Sequence, residues 1–181
     1  MPDNLPIPQD DGACDHLVGE SLPDLQLVST VDDLVNLAKL SGRIVVYCYP
    51  MTGKSNVPPP EGWAEIPGAM GCTPQSCSFR DHHVELCALG TQVFGLSTQD
   101  TAYQKEMMER LHLPFKVLSD DQLIFCDSLR LPTFKFENKT LTKRVTFIAN
   151  DGVIEAVHYP IFPSDSDPEW VINHLKQVPV E

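Results

Sequence analysis

The period of apolar and polar positions changes repeatedly along this chain, and each change marks an element. Residues 1 to 18 are polar and proline-bearing and predict a loose arm ahead of a folded domain from 19 to 181. Leu25-Gln26-Leu27-Val28 alternates as a short strand does, and Val31, Leu34, Leu37 and Ala38 then recur at helical spacing. Arg43-Ile44-Val45-Val46-Tyr47-Cys48-Tyr49 is a near-continuous β-favouring run, the pattern of a strand covered on both faces. After a long loop, a helix is expected to open near Cys72 and run to about Leu89, with Gly90 as its left-handed stop. Gln92 to Ser97 reads as the next buried strand, and Asp100 or Thr101 opens a helix through Met107, Met108 and Leu111. Further strands are expected at Phe115 to Leu118 and Thr133 to Phe136. Val145 to Ile148 and Val153 to His158 read as a hairpin across Asn150-Asp151-Gly152, and a last helix starts at Asp167-Pro168 and runs to Lys176. The alternation predicts an α/β domain, a central mixed sheet flanked by helices on both faces. No internal repeat or low-complexity tract interrupts it.

Composition narrows the class. A chain of 181 residues with 42% apolar content suits one domain with a full core. Thirteen basic against 25 acidic residues give a net charge of −12, which disfavours unspecific contact with nucleic acid or an anionic membrane. Met1 to Asp11 has neither the basic start nor the apolar run of a secretory signal, and no stretch approaches the ~20 apolar residues of a membrane helix. The expectation is a cytoplasmic, reducing compartment, where six cysteines are free, catalytic or metal-bound rather than a stapled framework.

The chemistry concentrates in Gly71-Cys72-Thr73-Pro74-Gln75-Ser76-Cys77-Ser78-Phe79-Arg80-Asp81. Thr73 reads as a capping residue and Pro74 as the first helical position, which sets Cys72 at a helix mouth. Unpaired N–H groups and the positive end of the helix dipole there favour thiolate over thiol. Taken alone, such a cysteine is more often an inert core thiol; the second cysteine five residues on points to redox chemistry. In an intact helix that spacing separates the two Cα atoms by about 8.6 Å, whereas a disulfide needs less than about 7 Å. Pairing therefore requires the first turns to unwind. Metal binding is the rival, since Cys72, Cys77, His82, His83 and Cys87 are all ligand types. Paired zinc ligands usually stand two to four residues apart, and adjacent histidines lie about 100° apart on a helix, so the spacings argue against it.

The motif, following a strand that ends in Tyr49-Pro50, resembles the atypical two-cysteine peroxiredoxins of the bacterioferritin-comigratory-protein branch. Gly19-Glu20-Ser21-Leu22-Pro23 and Lys143-Arg144-Val145-Thr146-Phe147-Ile148 before Asp151-Gly152 extend the resemblance over roughly residues 19 to 178. It implies a thioredoxin-like fold, no cofactor, a peroxide substrate and thioredoxin or a similar dithiol protein as reductant. It implies Cys72 as the peroxidatic thiol, Cys77 as the resolving one, and Arg144 as the arginine that stabilises the thiolate and orients peroxide. Gln75 would brace the site. The alternative reading of the same thiol pair is a redox sensor or interaction protein with little turnover.

One departure stands out. Ala69 occupies the place of the family's peroxide-binding Thr, and Glu65 that of its Pro. Pro50 lies 22 residues before Cys72, an insertion of about 15 residues at about 51 to 68, a length uncommon in a loop without function. Candidate replacements for the lost hydroxyl are Thr52, Thr73 or backbone N–H groups at Gly71 and beyond. Trp63 in the insertion reads equally as a lid or as a filler of a surface gap. Arg144 has a competing reading as a surface charge beside Lys143, and Arg80 as a local partner of Asp81. Cys48, Cys87 and Cys126 are expected in the core, and Cys14 is a bystander in the arm. Leu131-Pro132-Thr133-Phe134 resembles the cis-proline loop of thioredoxins and is read as a decoy.

Overall fold

A computed structural model describes residues 3–179; residues 1–2 of the arm and 180–181 of the domain lie outside the described residues. Seven strands form one mixed sheet: β1 (Leu27–Ser29), β2 (Leu34–Val35), β3 (Arg43–Cys48), β4 (Thr91–Ser97), β5 (Lys116–Ser119), β8 (Val145–Asn150) and β9 (Val153–His158). Their spatial order is β2-β1-β5-β4-β3-β8-β9. The central pairs β3–β4 and β4–β5 are parallel, while β8 joins β3, and β9 joins β8, antiparallel. A separate hairpin pairs β6 (Thr133–Phe136) with β7 (Lys139–Thr142).

Strand β3 shows why the run at 43–49 lacks alternation. Ile44, Val46 and Cys48 enter one core with Leu96, Phe125 and Phe147, and Val45 and Tyr47 enter the other with Phe79, Met107 and Val171. The second core is roofed by α1 (Cys72–Asp81), α2 (His83–Ala88), α3 (Thr101–Leu111) and α5 (Asp167–Gln177); the first is covered by α4 (Ile124–Leu129) and the N-terminal segment. The helices thus divide unequally between the two faces. Tyr47 ties sheet to site: its ring stacks on Phe79 of α1 at 4.5 Å, and its hydroxyl donates to Ser76 at 3.0 Å. Gly95 pairs with Tyr47 across the parallel ladder, and a Cβ there would meet the tyrosine ring at 3.0 Å.

Three expectations are corrected. Val31, Leu34, Leu37 and Ala38 do not make a helix. Asp32 turns the chain at φ 63°, β1 and β2 pair as a hairpin, and a 3-10 turn at Leu37–Lys39 is capped by Asn36, which accepts from Ala38 N–H. The apolar spacing was coincidental, since Val31 and Leu34 face solvent. The Cys72 helix also does not run unbroken to Leu89. His82 leaves helical geometry (φ −96°, ψ 3°) and separates α1 from α2, and its Nδ1–H donates to the Ser78 carbonyl. Gly90 does carry the left-handed stop, at φ 74°. Finally, the described part of the arm is docked: Leu17 and Cys14 are buried in the first core, and Asp11 accepts from Tyr159 Oη and Lys143 Nζ. Tyr159 and Lys143 hold the Asp11 carboxyl down to about 2.

The packing of Tyr47 against Gly95 yields a first test. Gly95→Ala overfills that contact and should destabilise the fold by about 1–3 kcal/mol, seen as a lower urea midpoint at unchanged slope. A midpoint equal to wild type would mean the ring shifts without cost.

Candidate active site

Cys72 is the first residue of α1 and lies 97% out of solvent, at 3% exposure. The helix is capped differently from the expectation. Gly71 is the N-cap, at φ 110°, a backbone geometry that glycine adopts without penalty, and Thr73 and Pro74 fall at the second and third helical positions. Cys72 and Thr73 therefore carry first-turn N–H groups that no helical carbonyl reaches, and Pro74 carries none. The first regular bond is Gln75 N–H to the Gly71 carbonyl, at 3.0 Å.

Arg144 enters from the turn between β7 and β8. Its Nη2 donates to Cys72 Sγ at 3.2 Å and lies within 3.1–3.2 Å of the Gly68, Ala69 and Met70 carbonyls. Its Nη1 donates to Gln75 Oε1. At 4% exposure Arg144 is no surface charge, so that reading is overturned. The loop at 68–70 turns its carbonyls onto the guanidinium, and the sulfur completes the set. The guanidinium thus stands 3.2 Å from the sulfur.

The remaining candidates fall around this pair. Gly71, Thr73, Thr52 and Trp63 line the same cleft as Cys72, with a volume of about 340 Å³. Thr52 is buried, and its Oγ1 donates to Gln99 Oε1 at 3.4 Å. Ala69 contributes its carbonyl and no hydroxyl. The insertion does not hang free: Trp63 is buried against Phe136 (5.0 Å between centroids) and Phe134 (6.0 Å) of the β6–β7 hairpin. Ala69, Leu141 and Trp63 form a third small core there. Trp63 is thus both a packing anchor and part of the cleft wall.

Cys77 is half-buried on α1, and all six cysteines are unpaired. Burial pushes the Cys14 thiol up to about 12 and also raises those of Cys48 and Cys126, so these three stay protonated at neutral pH. Cys87 departs from the core expectation: it is exposed, with Sγ 3.4 Å from His83 Nε2. Among the described residues no three His, Cys, Asp or Glu side chains converge as a metal-holding group. Arg80 pairs with Asp81 and donates to the Leu111 carbonyl, away from Cys72. Three residues escaped the sequence reading. Asp167, Thr146 and His158 form a buried polar group behind Gln75, joined to it through Gln75 Nε2 at 2.8 Å from Asp167 Oδ2. Asp167-Pro168 signalled a helix start and nothing more.

The redoxin family profile matches residues 17–172, and the chain belongs to that family. Within it the relatives are peroxiredoxins of the Bcp and peroxiredoxin Q branch. Escherichia coli K12 peroxiredoxin Bcp is 31% identical over 88% of this chain and 95% of its own length. Rice (Oryza sativa subsp. japonica) chloroplastic peroxiredoxin Q is 32% identical over 77% of this chain, a match that spans 58% of the rice protein. Mycobacterium tuberculosis peroxidoxin BcpB superposes with a TM-score of 0.73 at 22% identity, over 90% of this chain and 99% of its own. The thioredoxin-like fold is thereby established.

Two outcomes check the site. Arg144→Met leaves Gln75 Oε1 and the loop carbonyls without their donor and should cost about 1–3 kcal/mol of stability. Arg80→Met, at a half-exposed site, should cost far less in the same urea titration. Native alkylation at pH 8 followed by mass spectrometry should label Cys87 and Cys77 and spare Cys14, Cys48 and Cys126 until the protein unfolds. Rapid labelling of any of the last three would contradict their raised thiol pKa.

Proposed function

We propose that this chain is a thiol-dependent peroxidase that reduces hydrogen peroxide or small organic hydroperoxides. The observation that carries the reading is Arg144 Nη2 at 3.2 Å from Cys72 Sγ, at the start of a helix and under an open cleft. The Cys72 thiolate attacks one peroxide oxygen, the S–O bond forms as the O–O bond breaks, and the departing oxide takes a proton to leave as water or alcohol. The sulfur becomes a sulfenic acid. Charge develops on both oxygens during this step, and the guanidinium together with the Cys72 and Thr73 N–H groups offsets it. These N–H groups stand in for the hydroxyl lost at Ala69, with Thr52 on the cleft wall and Gly71 shaping the turn. Gln75 holds Arg144 in place.

Cys77 resolves the sulfenic acid. Its thiolate attacks the Cys72 sulfur, an S–S bond forms, and the hydroxide released leaves as water. A thioredoxin-type dithiol protein then reduces the disulfide by exchange. Six unpaired cysteines suit a reducing, cytoplasmic compartment, although the rice relatives are chloroplastic. Among the described residues no helix is long and apolar enough to cross a membrane. The Xanthomonas campestris bacterioferritin comigratory protein, a fold neighbour at 17% identity, has alkyl peroxide reduction activity. The second reading, a thiol sensor with little turnover, draws on Ala69, which offers peroxide no hydroxyl.

Peroxide consumption with thioredoxin and its reductase separates the two. Wild type should turn over, Cys72→Ser should fall to background, and Cys77→Ser should stop after one equivalent with Cys72 as sulfenic acid, passing readily to sulfinic acid. Oxidation of Cys72 no faster than an ordinary thiolate would favour the sensor.

A further inference from the structure

The Cys72 site continues inward along one line of hydrogen bonds. Arg144 Nη1 donates to Gln75 Oε1, Gln75 Nε2 donates to Asp167 Oδ2 at 2.8 Å, and Thr146 Oγ1 donates to the same oxygen at 2.6 Å. Asp167 Oδ1 lies 2.8 Å from His158 Nδ1 and accepts its proton. Gln75, Thr146 and Asp167 are wholly buried. A glutamine amide has two faces and can present either; a carboxylate only accepts. Asp167 therefore draws the Gln75 NH₂ to itself and turns Oε1 toward Arg144. With the amide reversed, NH₂ would face the guanidinium, donor against donor. Arg144 Nε has no partner, so the fork is oriented by its two Nη groups alone.

The same contact fastens the helix. Cys77 sits between two attachments of α1 to the segment at its back: Gln75 Nε2 to Asp167, and Ser78 Oγ to the Asp165 carbonyl at 2.7 Å. In a wound helix the two cysteine Cα atoms are about 8.6 Å apart, beyond the reach of a disulfide. Residues 73–76 must unwind for the sulfurs to meet, and Gln75 is among them.

We propose that Asp167 is a positioning residue of the Cys72 site: through Gln75 it aims Arg144 at the sulfur, and by the same bond it holds α1 wound. It thereby favours attack on peroxide and opposes resolution. The second half rests on Cys77 as the resolving thiol; the first half does not.

The test reads the two chemical steps separately. Asp167→Asn keeps volume and removes the charge that strengthens these bonds. Stopped-flow oxidation of Cys72 by hydrogen peroxide should slow by about two- to tenfold, while conversion of sulfenic acid to the Cys72–Cys77 disulfide speeds up by a similar factor. Ser78→Ala lies off the Arg144 line and should leave the first step unchanged while accelerating the second. In a Gln75→Met background, already slowed, Asp167→Asn should have no further effect on oxidation, because its influence passes through Gln75. A merely structural Asp167 would slow both steps, or neither, or add its effect to that of Gln75→Met, and each of these results overturns the proposal. If wild type forms no Cys72–Cys77 disulfide, the resolving role of Cys77 is wrong, and the positioning role stands or falls on the oxidation rate of Asp167→Asn. Should that variant not fold, Gln75→Met must slow oxidation and Ser78→Ala must speed disulfide formation; failure of either overturns the corresponding half.

Discussion

A guanidinium taken out of water is tolerated only where its donors find acceptors, and the site is built around that requirement. Arg144 meets it with Gln75 on one side and with Cys72 Sγ and the carbonyls of 68–70 on the other. The turn before α1, the first turn of α1 and the entry to β8 are thus fixed against one another by one side chain. None can move without leaving a buried polar group unpaired. The Cys72 sulfur inherits its surroundings from that constraint: it is the one thiol among the acceptors of the set.

The sheet makes this arrangement rigid and the insertion gives it a shape. Tyr47 reaches up from β3 past Gly95 to stack on Phe79, so the helix carrying Cys72 rests on the most buried strand of the molecule. On the other side, the extra residues before Cys72 pack on the β6–β7 hairpin through Trp63 and form a wall over the sulfur. At Ala69 the backbone carbonyl serves Arg144, and the side chain carries no hydroxyl.

Burial sorts the six thiols. Cys14, Cys48 and Cys126 sit where ionisation is penalised by desolvation, whereas the sulfur of Cys72, though equally covered, touches the Arg144 guanidinium at the start of a helix. Equal burial thus leaves the buried sulfurs with different neighbours. Cys77 and Cys87 stay accessible, and only Cys77 shares a helix with Cys72.

Much of this was legible in the chain itself. The uniform run at 43–49 marked the central strand and Asn150-Asp151-Gly152 its neighbouring hairpin, because local propensity acts at short range, and two of the residues singled out by type, Cys72 and Arg144, are in contact. The failures have the same origin. The helical spacing at 31–38 carried no information about burial, and a single turn at Asp32 overrode it. The long helix breaks at His82, where the backbone leaves helical angles in a way that periodicity cannot register, and Cys87 looked like core until the helix containing it was placed. Which groups surround Arg144 was decided by tertiary structure alone. Gln75, the 68–70 carbonyls and Asp167 come together from segments as much as 99 residues apart, and a hydrogen bond depends on where the chain folds back, which no local pattern encodes.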